Sequence, residues 1–183
     1  MMEKNIDNKN MDMLLDEFFS KDDLKSLAAD AGAFLECPIL VLDDTFHVVA
    51  HYRPFGFSDP VFQNSIRHGE ITYEVGAIIS QSEVLLSGKA DYVILEESAY
   101  QRRFAPLISS GVRLGYLICV DTDGHLHKIQ QEIWYKVEQI LAKQLFIETS
   151  RQDKPFETAE DVLKHLLDGR FSSEPYFQLQ ASN

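Results

Sequence analysis

The sequence predicts an α+β domain: an antiparallel sheet flanked by helices, with a long C-terminal helix. Three observations carry this. A short apolar run at 38–43 and an alternating run at 46–52 meet at Asp43-Asp44, as the arms of a hairpin do. Strand patterns at 90–95, 100–108 and 112–120 follow one another, the last two joined by Ser109-Ser110-Gly111. From 125 to 150 the apolar period is helical. Strands grouped in runs, without regular strand–helix alternation, mean antiparallel pairing.

Taken in order, residues 1–10 are polar and read as a leader, and Met11 to Phe19 carries apolar residues at helical spacing. Ser20 with Asp23 resembles a capping box. The helix it opens, about 21–35, places Leu24, Leu27, Ala28, Ala31, Phe34 and Leu35 on one face, and Pro38 stops it. In the hairpin's second arm, strict alternation sets Phe46, Val48, Ala50 and Tyr52 on one face and His47, Val49 and His51 on the other. Pro54, Gly56 and Pro60 mark a loop. Val61, Phe62, Ser65 and Ile66 then define a short helix ending near Gly69, and Tyr73, Ala77, Ile78 and Gln81 a second. Residues 83–88 fit either helix or strand. Gly115, inside the last strand, predicts close approach of another element or a bulge.

The long helix, 125–150, would span about 37 Å. Leu126, Ile133, Ile140 and Ile147 recur every seven positions, with Gln130, Val137 and Gln144 between them; a second stripe runs through Trp134, Leu141 and Leu145. Two stripes predict two packing partners: the domain's own core, and a second chain meeting Ile133, Val137, Ile140, Gln144 and Ile147. The alternative is one broad face buried within one chain. Residues 151–157 read as a linker, and Thr158 with Asp161 opens a short helix carrying Val162, Leu163, Leu166 and Leu167.

The 183 residues are 45% apolar and 25% charged, ordinary values for a globular domain of a size that needs no metal or disulfide to hold its core. The net charge is −12, and acidic residues outnumber basic ones in 1–35, 36–120 and 121–183 alike. With no basic stripe, direct nucleic-acid binding and adhesion to an anionic membrane are not expected. The N-terminus has no apolar signal core and no apolar run is long enough to span a membrane, so a cytoplasmic protein is expected.

Candidate sites are few. His47 and His51 would lie about 13 Å apart along a strand, too far to share a metal. Asp121, Asp123, His125 and His127 form a dense group that reads as a turn and helix start, with ion binding left open. Cys37 and Cys119 lack basic neighbours and read as buried, inert thiols. Arg102 and Arg103 are adjacent on a strand, so one points to each face, and an arginine in a pocket anchors a carboxylate or phosphate. Tyr52, Phe55, Phe57, Phe62 and Tyr73 form an aromatic group suited to line a small-molecule pocket or to pack a loop-rich core. The ligand-binding set expected from these is Tyr52, Phe57, Phe62, Tyr73 and Arg102. No phosphate loop, nucleophile elbow or paired-cysteine metal pattern occurs, so no catalytic residue, metal or cofactor is assigned and no enzyme is expected.

The stretch from Cys37 to Ala50 (CPILVLDDTFHVVA) resembles the opening hairpin of GAF- and PAS-type sensory domains. Gly111 to Val120 (GVRLGYLICV) resembles their late strand, with the long helix following. The segment Thr158 to Phe171, containing VLKHLLDGRF, resembles the connector that follows the sensor in bacterial regulators of the purine-catabolism and sugar-diacid (PucR/CdaR-like) type. The resemblance covers roughly residues 22–175 and implies the following organisation. Residues 1–20 are a leader and helix, 21–150 a GAF-like sensory domain, and 151–183 a linker and connector helix toward a downstream DNA-binding region absent from this chain. It implies a small metabolite bound between the sheet and the 55–88 segment, and a homodimer that transmits binding through the long helix. The Asn-Lys-Phe-Asp-Glu signature of cyclic-nucleotide-binding GAF domains is missing, as are the several cysteines of GAF-like methionine sulfoxide reductases. The alternative function is a ligand-free dimerisation or scaffold module.

Overall fold

The computed structural model describes residues 23–152. The leader, Met11–Phe19, Ser20 and the 151–183 connector expected above lie outside the described residues, except that the long helix runs on to Gln152.

Five strands form one antiparallel sheet in the order β2-β1-β5-β4-β3. They are β1 (Ile39–Asp43), β2 (Val48–Tyr52), β3 (Asp91–Ile94), β4 (Gln101–Ser109) and β5 (Val112–Asp121). Helix α1 (Leu24–Phe34) precedes the sheet; α2 (Pro60–His68), α3 (Tyr73–Gln81) and the single turn α4 (Glu83–Leu86) lie between β2 and β3; α5 (Gln131–Gln152) follows it. The α+β class, the antiparallel sheet and the long C-terminal helix are all present.

Local sequence explains most boundaries. Asp23 caps α1, its carboxylate accepting from the Ser26 N–H at 2.8 Å. Asp59 caps α2 just before Pro60, whose missing N–H costs nothing at a first helical turn. Ser110 (φ 51°) and Gly111 (φ 79°) form the two-residue turn between β4 and β5, both with the left-handed backbone that matches strand twist. Gly115 sits where β1 crosses closest: a Cβ there would fall 1.9 Å from the Leu42 carbonyl oxygen. Both readings of Gly115 hold, since the β4–β5 register also shifts between Leu107 and Ile108.

The sheet divides the molecule into two cores. On one face Ile39, Val41, Leu117 and Cys119 meet Leu27 of α1 and the α5 residues Trp134, Leu141 and Leu145. On the other, Leu40, Leu42, Phe104, Ile118 and Val120 meet Phe62 of α2, Val75 and Ile79 of α3 and Leu85 of α4. Full burial of each large apolar side chain is worth about 1.5–3 kcal/mol.

Two expectations need correction. First, β2 does not alternate strictly. Val41 pairs with Ala50, but Leu42 pairs with Val48, so Val49 is an extra residue. A bulge reverses the side-chain phase on either side of it. Phe46 and Val48 therefore face α2 and α3, whereas Ala50 and Tyr52 face α1 and α5. Second, the long helix begins at Gln131, not 125. A 3-10 turn (Leu126–Lys128) and extended backbone at Ile129 come first. Leu126 is off the helix, and the seven-residue repeat loses its first member. Val137, Ile140 and Gln144, expected at a seam between two chains, are buried inside this one. The two apolar stripes merge into one broad face that covers the sheet and α1 together. Ile133 and Ile147 at its flanks are half-buried. Gln144 donates to Glu148 Oε1 at 3.2 Å, and that oxygen accepts the Leu24 N–H at the start of α1.

The start of β2 has a second backbone partner. The segment joining α2 to α3 runs alongside it: Val48 N–H donates to the Gly69 carbonyl at 2.8 Å, Ile71 N–H to the Phe46 carbonyl at 3.2 Å, and His47 bridges Glu70.

Candidate functional site

A groove of about 440 Å³ opens at the β3 edge of the sheet, between α2, α3 and the β3–β4 connection. Its floor is apolar: Val61 from α2, Val75, Ala77 and Ile78 from α3, and Leu95. Tyr73, the first residue of α3, and Ile94, the last of β3, stand at its walls 90% and 70% exposed. Glu74, Glu96 and Glu97 complete the lining with Thr72, whose hydroxyl caps α3 by accepting from the Val75 N–H at 3.4 Å. Among the described residues that line the groove, none is basic.

Two of the elements around the groove, α2 and the β3–β4 connection, are anchored at one buried carboxylate. Asp59 Oδ1 accepts from the Phe62 N–H at 2.8 Å and from Arg102 at 2.5 Å. Its Oδ2 accepts from the Ser98 hydroxyl at 2.6 Å, which fixes the connection that carries Leu95, Glu96 and Glu97. Arg102 donates again to the Tyr100 carbonyl at 3.1 Å. Both side chains of the pair are almost wholly buried. Burial pulls the guanidinium below its ordinary range, and Asp59 pulls it back up.

The next residue, Arg103, points to the opposite face. Its guanidinium carbon lies 3.9 Å from the Trp134 ring centroid, and Nη2 is 2.6 Å from Glu138 Oε1. Burial pushes the Glu138 carboxyl above its ordinary range, and Arg103 opposes that. The alternation read for the two arginines holds. The consequence is structural: Arg102 is engaged by Asp59 and Tyr100, and does not line the groove.

Of the five residues expected to bind ligand, only Tyr73 lines the groove. Tyr52 is on the other face through the Val49 bulge, packed on Gly32 of α1. Phe62 is core, and Phe57 stacks edge-on against it at 5.3 Å and against Tyr100 at 5.7 Å. Phe55 is fully exposed in its loop. The lining residues that sequence reasoning missed carry a faint signal, an apolar Ile94-Leu95 followed at once by Glu96-Glu97 where a strand stops.

The remaining candidates resolve as local structure. Asp121, Asp123 and His125 bring ligand atoms within 4.8 Å of one another. However, Asp121 Oδ1 accepts from the N–H groups of Gly124, His125 and Leu126, the bonding of a turn. His127 stands apart, stacked on Tyr92 at 4.0 Å and bonded to Gln101. His47 closes the β1–β2 turn with Thr45 and Asp43. Cys37 and Cys119 are free and buried. The neighbouring Cys119 sulfur and then burial push the Cys37 thiol well above its usual value, which keeps it protonated.

Two solved structures share this architecture. The GAF domain of an Acinetobacter phosphoenolpyruvate-protein phosphotransferase covers 85% of this chain and all of its own at 12% identity, with a TM-score of 0.53. The GAF domain of the corresponding protein from Coxiella burnetii covers 80% of this chain and 97% of its own at 13% identity, with a TM-score of 0.50. The chain has the fold of a GAF-like domain. No family model and no curated protein matches its sequence. Among the described residues of this GAF-like domain, no helix is long and apolar enough to cross a membrane.

Proposed function

We propose that this GAF-like domain senses a small molecule in the groove at the β3 edge and reports its presence through α5. The observation that carries the reading is the placement of Asp59. It holds both α2 and the β3–β4 connection and grips Arg102 on β4, and the next residue on β4 grips α5 through Trp134 and Glu138. A ligand that shifts Val61 of α2 or Leu95 of the β3–β4 connection acts on that carboxylate and so on the strand under α5. It transmits a signal only by binding one arrangement better than another.

The wider setting follows from the likeness at 158–171 and from the order of the motifs. The domain belongs to a cytoplasmic bacterial transcription regulator of the PucR/CdaR-like type and acts as a homodimer. DNA contact falls to a region beyond this acidic chain. No reaction is assigned to the domain. Because Val137, Ile140 and Gln144 are used inside the chain, a dimer would form through other surfaces.

The test is a thermal-melt screen against purines, sugar acids, amino acids, nucleotides and amines, read together with emission from Trp134, the single tryptophan. A ligand at 100 times its Kd adds about 2.7 kcal/mol, a rise of roughly 5–10 °C for a chain of this size. The expected result is a hit that also changes Trp134 emission. Stabilisation with unchanged emission would reject transmission through β4. A blank screen would favour a ligand-free scaffold.

A further inference from the structure

The lining of the groove narrows the class of ligand, an inference that rests on the sensing role just proposed. We propose that the groove takes an amphipathic organic cation, an ammonium group carried on an aryl or alkyl body. The 440 Å³ space is within the range of small-molecule sites, and its floor of Val61, Val75, Ile78 and Leu95 suits an apolar body. Every charged residue that lines it is a glutamate: Glu74, Glu96 and Glu97. A bound carboxylate or phosphate would meet three like charges and no counter-charge.

The arginine that would anchor an anion is unavailable to it. Arg102 is buried below the groove and spends its donors on Asp59 and the Tyr100 carbonyl. Tyr73 adds a positive reason. Its ring is 90% exposed at the wall, next to Glu74 in sequence, and an aromatic face attracts an ammonium. The chain's net charge of −12 raises the local concentration of cations before any contact forms. The groove thus disfavours the sugar diacids that the regulator likeness by itself would suggest.

The test uses three probes with one body and different charge: 2-phenylethylammonium, 2-phenylethanol and 3-phenylpropionate. They are titrated at low salt into the isotope-labelled full chain and followed by amide NMR and calorimetry. The ammonium should shift amides around Val61, Tyr73, Ile78 and Ile94, and bind about tenfold tighter than the alcohol, as three exposed ion pairs allow. The propionate should not shift them. Glu96→Gln with Glu97→Gln should weaken the ammonium about fivefold and leave the alcohol unchanged. Tyr73→Leu should weaken the ammonium about threefold. Glu96, Glu97 and Tyr73 are exposed, so these variants should melt as the parent does.

Equal binding of alcohol and ammonium, or binding of the propionate in the groove, overturns the cation assignment and leaves the sensing role standing. Failure of all three to move groove amides at millimolar concentration overturns both. Shifts centred on Asp121 and Asp123 would place ammonium binding elsewhere and overturn the assignment.

Discussion

Arg102 and Arg103, adjacent on β4, hold opposite layers of the domain. Arg102 grips Asp59 at 2.5 Å beneath the groove, and Arg103 lies 3.9 Å over Trp134 on α5. Neither arginine is free to move without disturbing a helix on its own side of the sheet.

Removing Arg102 should therefore be costly. Arg102→Met leaves Asp59 buried with only the Phe62 N–H and the Ser98 hydroxyl as partners. Breaking one side of a buried ion pair costs about 3–5 kcal/mol. Urea unfolding should show a fall of that size. A loss under about 1 kcal/mol would mean that the pair is solvated and not a structural clamp.

The Tyr52 reassignment is checked by a double-mutant cycle with Gly32. A Cβ on Gly32 would fall 2.3 Å from Tyr52 Cδ1. Gly32→Ala alone should destabilise by about 1–3 kcal/mol through overpacking. In a Tyr52→Ala background most of that cost should vanish, a coupling typical of side chains in contact. Additive effects would return Tyr52 to the groove side of the sheet.

Ile140 distinguishes a core from a seam. Ile140→Asp should unfold the domain, because it puts a carboxylate between α5 and the sheet. Far-UV circular dichroism and light scattering on the same sample check this. A folded variant of reduced mass would show instead that Ile140 meets a second chain.

His125 should make stability pH-dependent. Burial alone would lower its pKa, but the Leu35 carbonyl and the Asp123 and Asp121 carboxylates together raise it above 6.5. A raised folded-state pKa gives stability that is full below the unfolded value, near pH 6.5, and lost as pH rises through the folded value. Denaturant midpoints of the parent should fall from pH 6 to 8.5 more than those of His125→Gln. An NMR titration placing His125 at or below 6.5 would contradict this.

Much of this was readable from residue order alone. Ser109-Ser110-Gly111 and Gly69 mark a turn and a helix end through backbone chemistry, which acts within a few residues, whereas Pro60, read with the loop, opens α2. The opposed directions of Arg102 and Arg103 follow from strand pleat. What stayed hidden depends on partners distant in sequence. One extra residue, Val49, reverses the phase of β2 and carries Tyr52 across the sheet, and no local pattern announces it. The heptad from Leu126 to Ile147 looks like a seam because α1 and the sheet lie side by side and accept a wide apolar face, as a second helix would. The rest of the groove lining was missed for a similar reason: Tyr73, which was expected at a site, meets Ile94 and Glu96 only after folding.

The backbone bonds from Val48 and Phe46 to residues 69–71 have a consequence for solubility. A strand margin with open N–H and C=O groups recruits other copies of the chain. Here the opening half of β2 already has a guard, and the opposite margin, β3, is four residues long and starts with an acidic side chain. Neither border offers a long template for cross-chain growth. Shortening or kinking the 69–71 guard, whose Ile71 also belongs to the core, should favour fibrous aggregation of the chain.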